Sequence, residues 1–345
     1  MITPDGEKAA AQQQQSFGSG SDQSIQASDS AGSTTAPLFS TIPPFAHARF
    51  APDYLVTPVG YIHQSCVHVV PNGSVIHGDE RTVYLHGNLW ASYPACSYEP
   101  LGIVRPLKEH VAPNGTPGLD GGDGWQADIS ASLVDPDVFG SGSSRQLNVP
   151  LLPPSPQAGQ NIFFWPGLLP PNGDILQPLL NYVTGVSSCP NGNNCYQINA
   201  FYYPWRSGRL AYVTPQQAVS PGDRLSLDST ETSKGVWTLT AFDETTGASA
   251  TAGVDETSIP AGSTWQLESA VVESFGISTC GEFPASQQIY FGLPVIFQGV
   301  PNWNSKAHVD ALNLPWVRHD WADGLTPDCQ FQEYVGDAVI DFIDR

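Results

Sequence analysis

The sequence predicts an all-β fold. Short alternating apolar–polar runs recur along it about every ten residues. It carries 33 glycines and 31 prolines, which supply turns and interrupt long helices. No amphipathic stretch keeps a helical period beyond about two turns. With 345 residues, 40% of them hydrophobic, the chain can bury one large core or two smaller ones.

Residues 1–44 open on a low-complexity tract, Gln12 to Gln15 followed by Ser, Gly, Asp and Ala repeats. Such a composition cannot bury enough surface to fold, so a disordered tail is expected. Residues 45–110 read as a small β unit. Within it Cys66–Val70 and Ser74–His77 flank the turn Pro71-Asn72-Gly73 and predict a hairpin. Asn72-Gly73-Ser74 is also a glycosylation sequon, as is Asn114-Gly115-Thr116. His63, His68, His77 and His86 cluster in sequence, but their spacing fits no metal-ligand set. The Gly/Pro-rich stretch 111–124 reads as a linker. The expected division is a tail at 1–44, a small unit or pro-segment with its linker at 45–122, and a larger β domain at 123–345.

Inside the larger domain, Asn161–Gly167 and Gly173–Pro178 flank a turn built from Pro170, Pro171, Asn172 and Gly173. Strand alternation gives Ile175, Gln177 and Leu179 a common face. A neutral amide there is costly unless something hydrogen-bonds it. Ile198–Trp205 is an aromatic strand. Ser263–Phe275 is the longest strand pattern, and counting by twos puts Trp265, Leu267, Ser269, Val271 and Glu273 together. A carboxylate closing a mostly apolar face is a candidate acid–base group. Glu268 falls on the opposite face unless a bulge intervenes.

Lys and Arg number 13 against 33 Asp and Glu, for a net charge of −20. That field repels phosphates and excludes nucleic acid and anionic membranes as partners. It suits work in acid, where carboxylates are protonated. Six cysteines without a CxxC read as disulfides formed in an oxidising, extracellular compartment. Pairing neighbours gives Cys66 with Cys96, Cys189 with Cys195, and Cys280 with Cys329. No run is apolar enough to span a bilayer. Met1-Ile2-Thr3-Pro4-Asp5-Gly6 has no apolar core of the kind a signal peptide needs.

Taken in order, several of these marks carry a family likeness. Gly124-Trp125, Val149-Pro150, Phe164-Trp165-Pro166-Gly167, Asp174-Ile175-Leu176-Gln177, Ala200–Trp205, Val219–Asp223, Asp243–Gly247 and Glu268–Phe275 resemble the motifs of the eqolisins, the fungal glutamic peptidases. The resemblance spans about Trp125 to Phe297 and implies a bent antiparallel β-sandwich. It implies Gln177 and Glu273 as the catalytic pair and Trp165, Tyr203 and Trp205 as substrate-binding residues. The implied protein is a secreted acid endopeptidase and a monomer that takes a polypeptide substrate and needs no metal or organic cofactor. In such a site the glutamate takes a proton from water and returns one to the leaving amine, while the glutamine supports the oxyanion. Three features depart from the pattern. The interval from Glu268 to Glu273 is one residue longer than the family's, Tyr203 takes the place of the acidic residue of its aromatic strand, and Leu168-Leu169-Pro170 replaces its aspartates. The alternative reading is a binding protein. Trp165, Phe201, Tyr203 and Trp205 on one sandwich face also suit a lectin-like platform for sugar rings, or a scaffold that has lost catalysis.

Overall fold

The alternating runs form strands, and no α-helix occurs among the described residues. A computed structural model describes residues 43–101, 123–141, 147–186, 189–190, 194–205, 209–286, 288–292, 295–298, 307–309, 313–320, 327–335 and 338–343. All lie within the unit Phe39–Arg345. Most of the expected tail, the 111–122 part of the linker and the sequon at Asn114 lie outside them.

Two large sheets stack as a β-sandwich. The first is built on four neighbours in the order Thr264–Phe275, Asn161–Leu169, Ile175–Thr184, Asn194–Tyr203. They are called below the glutamate, tryptophan, glutamine and aromatic strands. Gly124–Val134 flanks the glutamate strand, and Val317–Asp320 lies outside that. The second sheet contains Arg224–Ser233, Val236–Asp243 and Ser249–Asp255. Between the sheets Phe164, Leu180, Tyr182 and Val272 pack against Leu225, Leu227 and Ala241. Further along the same layer Leu168, Leu176, Tyr202 and Leu267 meet Trp237 and Leu239.

The other face of the first sheet is covered as well. Phe163, Trp165, Leu179, Phe201 and Phe275 lie under Phe45, Leu55, Val56, Tyr61 and Ile62 from the N-terminal side. Every residue of the tryptophan and glutamine strands is therefore buried. That explains why these two strands read as near-continuous apolar runs rather than as alternation.

The expected hairpin around Asn72 does not form. The turn closes through the Ser74 N–H donating to the Pro71 carbonyl, but its arms diverge. Val67–Val69 pairs in parallel with Ala211–Val213 of the first sheet. Ser74–Ile76 pairs in parallel with Ala252–Val254 of the second. Each arm finds an open sheet edge, and Asn72 fixes the turn by donating to the Ser249 carbonyl and accepting from the Thr251 N–H. Strands from both sides of the expected boundary thus share sheets. The nearby histidines go to aromatic contacts, His63 stacking on Tyr98 and His68 on Tyr93.

All three cysteine pairs are bonded as neighbours: Cys66–Cys96, Cys189–Cys195 and Cys280–Cys329. The last closes the longest loop, a separation of 49 residues, and so restricts the unfolded chain most. Replacing both of its cysteines by serine is expected to cost about 4 kcal/mol. The short Cys189–Cys195 loop is worth about 2 kcal/mol less than that by the same relation. Urea unfolding of the two variants checks the order.

Candidate active site

Register decides which polar groups meet on the covered face. The tryptophan and glutamine strands pair Phe164 with Leu180 and Leu168 with Leu176. In the gap between these pairs Pro166 lies across from Pro178. Neither proline has an N–H to give, so the ladder opens there. The same register sets Gly167 beside Gln177. On its other side Gly167 is opposite Glu268. Gln177 and Glu268 thus flank a residue without a side chain, on strands about 10 Å apart.

A side chain at position 167 has no room. A Cβ there would lie 2.7 Å from the Trp165 indole and 2.9 Å from the Leu176 carbonyl. Trp165 lies over Gly167, and Trp125 meets it edge-on at 5.2 Å. The register shift that brings Gly167 opposite Glu268 falls between Trp165 and Gly167, where Pro166 alone faces two residues of the glutamate strand, Ser269 and Ala270.

The same bulge, seen from the Gly124–Val134 side, corrects the expected parity of the glutamate strand. Glu268 faces Ser130 and Ala270 faces Ile129, with Ser269 as the extra residue. The bulge turns Glu268 to the face that also carries Val271 and Glu273. Counted along the tryptophan strand, Glu273 is opposite Phe163, and Phe163 is opposite Asn181. That row lies four residues from Gly167, about 13 Å along the strand. The register therefore sets Gln177 and Glu268 on either side of Gly167 and puts Glu273 in a different row, where it accepts a 3.4 Å hydrogen bond from Trp165 Nε1.

Both residues of the Gln177–Glu268 row are 0% exposed. Among the described residues, neither side-chain atom of Gln177 has a hydrogen-bond partner. Glu268 Oε1 accepts from Gln266 Nε2 at 2.7 Å, while Oε2 has none among them. Burial, then the nearby Asp128, pushes the Glu268 carboxyl well above the usual range. Burial alone does so for Glu273, opposed by the Trp165 hydrogen bond. Asp128 meets His319 at 3.1 Å and raises its pKa chiefly through that bond.

Tyr203 and Trp205 lie beyond Gln177, edge-to-face at 5.8 Å, with Tyr203 opposite Ile175. The Trp205 N–H donates to Asp174 Oδ1 at 2.7 Å. Asp174 belongs to a buried carboxyl pair with Glu256 that sequence reading missed. Asn172 Nδ2 lies 2.9 Å from both Asp174 Oδ2 and Glu256 Oε2. Tyr202 Oη reaches Asp174 Oδ2 at 2.8 Å and Glu256 Oε1 at 3.2 Å. Burial and the neighbouring Asp174 push Glu256 up to about 9. The two acids are 82 residues apart in sequence, so no local pattern announces the pair.

No family model matches the chain, and no curated protein matches it. In shape it is similar to a crystal structure of scytalido-glutamic peptidase with a peptide-based transition-state analogue, at 15% identity and a TM-score of 0.40 over 64% of this chain and all of that one. It is similar also to SCP-B, a member of the eqolisin family of peptidases in complex with the tripeptide Ala-Ile-His, at 15% identity and a TM-score of 0.38 over the same shares. Likeness at this level transfers no residue role to the chain.

Proposed function

We propose that this chain is a glutamic-type endopeptidase that works in acid outside the cell, with Gln177 and Glu268 acting on one water. The observation that carries the reading is the Gln177–Gly167–Glu268 row, where an amide and a carboxyl share a face and three of their polar atoms have no partner among the described residues. Burying such groups is costly, and a water with a peptide carbonyl between them offsets that cost. Once the covering segment is displaced and water reaches it, Glu268 loses the burial that holds it protonated. As carboxylate it takes a proton from the water as that water attacks the carbonyl carbon, then returns one to the leaving nitrogen. The Gln177 amide donates to the oxyanion, worth about 3 kcal/mol for one donor. Trp165 closes the row, and Glu273 holds its indole from the far side.

Access is the condition on this chemistry. Phe45 sits edge-on to both Phe163 and Phe201, over the rows of Glu273 and Gln177. Gln197 Nε2 donates to the Pro44 carbonyl, tying the covering segment down. Peptide reaches the row once residues 45–62 have moved or been cut, so they serve as an inhibitory cover. The intact chain is expected to cleave denatured protein slowly between about pH 2 and 5. Cleavage at a site engineered into 111–122, followed by acid, is expected to raise the rate at least tenfold. No hydrolysis from either form at any acid pH defeats the reading. A sugar-binding platform is less well supported, because Trp165, Phe201 and Tyr203 are at most 2% exposed and it gives Gln177 and Glu268 no task.

A further inference from the structure

One part of this sheet face is open while the rest is covered. Leu169 is opposite Gln266, Gln266 is opposite Ser132, and the strand register adds Ile175 to the same row. This row is the next one on that face after Gly167, Gln177 and Glu268, about 7 Å further along. It forms the floor of a cleft of about 380 Å³. Ser132 and Thr264 at its rim are exposed. Trp205 makes one wall, lying 3.4 Å from where a Cβ on Gly173 would be. The turn Pro170-Pro171-Asn172 makes another.

We propose that this cleft holds the substrate side chain beside the bond being cut and selects a bulky uncharged one, aromatic or branched aliphatic. The inference rests on the peptidase reading above and names its substrate class. Two residues of extended peptide cover about 7 Å, so a peptide lying across Gln177 and Glu268 delivers a side chain here. The volume falls within the ordinary range for ligand pockets, about 300 to 1,000 Å³. The cleft is lined by Leu169, Pro170, Pro171, Ile175 and Trp205 with a few neutral polar groups, and by no charged side chain among the described residues. A lysine or glutamate side chain entering it loses hydration with no opposite charge on the lining to compensate.

The walls are held from behind. Asn172 is anchored on Asp174 and Glu256, and Trp205 on Asp174. The pocket therefore keeps its shape before peptide arrives, and order in a site before binding favours affinity.

Ser132 gives the test, because it is exposed and has no part in the proposed chemistry. Ser132→Trp fills the cleft, and Ser132→Ala leaves it open. Peptides identical but for Phe, Leu, Ala, Lys or Glu beside the scissile bond are compared by kcat/KM. Phe and Leu are expected to exceed Lys and Glu at least tenfold in the natural protein and in Ser132→Ala, with that preference lost in Ser132→Trp. No preference in the natural protein, or one unchanged by Ser132→Trp, overturns the pocket while the peptidase stands. If nothing is cleaved, the peptidase reading falls, and calorimetric titration of the full chain with a blocked Ala-Phe-Ala tripeptide decides the pocket. Binding that Ser132→Trp abolishes, with its circular dichroism unchanged, supports it; no binding to the natural chain overturns it.

Discussion

Glu268→Gln is expected to lower peptide cleavage about 1,000-fold, within the range for loss of a general base, while Glu273→Gln leaves it within about tenfold. The two glutamates share a strand, a face and full burial, so burial does not separate them. Position does. Glu268 lies across Gly167 from Gln177, whereas Glu273 lies across Phe163 from Asn181. Glutamine keeps the shape of glutamate and, in an environment that holds the carboxyl protonated, replaces one neutral group by another. The fold should survive, as near-ultraviolet circular dichroism would show. Gln177→Ala is expected to cost about 100- to 1,000-fold. The double variant should be little worse than either single one, since groups acting on one water are not additive. Loss of activity in Glu273→Gln with retention in Glu268→Gln would reverse the assignment.

That prediction turns on one bulge, and it shows where sequence reading stops. Strand identity is legible because side chains alternate with period two, and the runs around Trp165, Gln177, Tyr203 and Glu273 all became strands. Parity is fragile for the same reason, since one extra residue moves everything beyond it to the other face. Ser269 is such a residue, and the only hint of it is the lengthened interval between the glutamates. Pro166, which lies opposite this bulge, marks the place more openly, because a central strand has no ordinary place for proline. A pro-segment is one reading of residues 45–62, but where they pack is not legible in the sequence. Their alternation predicts short strands, but which surface those strands cover is set by partners more than 100 residues away, such as Phe163 and Phe201. The diverging arms around Asn72 were misread similarly, because a turn signal says nothing about competing sheet edges.

Stability should be greatest in mild acid and fall as pH rises from about 4 to about 9. Three buried carboxyls, Glu256, Glu268 and Glu273, have folded-state pKa values raised above their ordinary value of 4.5. Each stays protonated in the fold while its unfolded counterpart ionises. Their contribution is fully present below about pH 4.5 and is withdrawn as pH rises toward the folded pKa, about 9 for Glu256. Asp228 is raised by burial and acts in the same sense. His68 opposes them. Burial lowers it from 6.5 to about 4, so its contribution is present above pH 6.5 and lost as pH falls toward 4. Asp79 and Asp255, lowered by Thr82 and Thr257 hydrogen bonds that outweigh burial, lose their contribution below about pH 3.8. His319, raised by its bond to Asp128, also loses its contribution as pH rises, so His68 stands alone against it and four carboxyls, and the maximum lies between about pH 4 and 5. Glu256→Gln isolates the largest well-defined share. A glutamine amide donates to Asp174 as the protonated acid does, and its oxygen still accepts from Tyr202 or Asn172. The variant should match the natural protein near pH 4 and exceed it by on the order of 3 kcal/mol at pH 8. Melting temperatures at pH 4, 6 and 8 check this. Parallel slopes for the two proteins would mean that Asp174 and Glu256 do not share a proton.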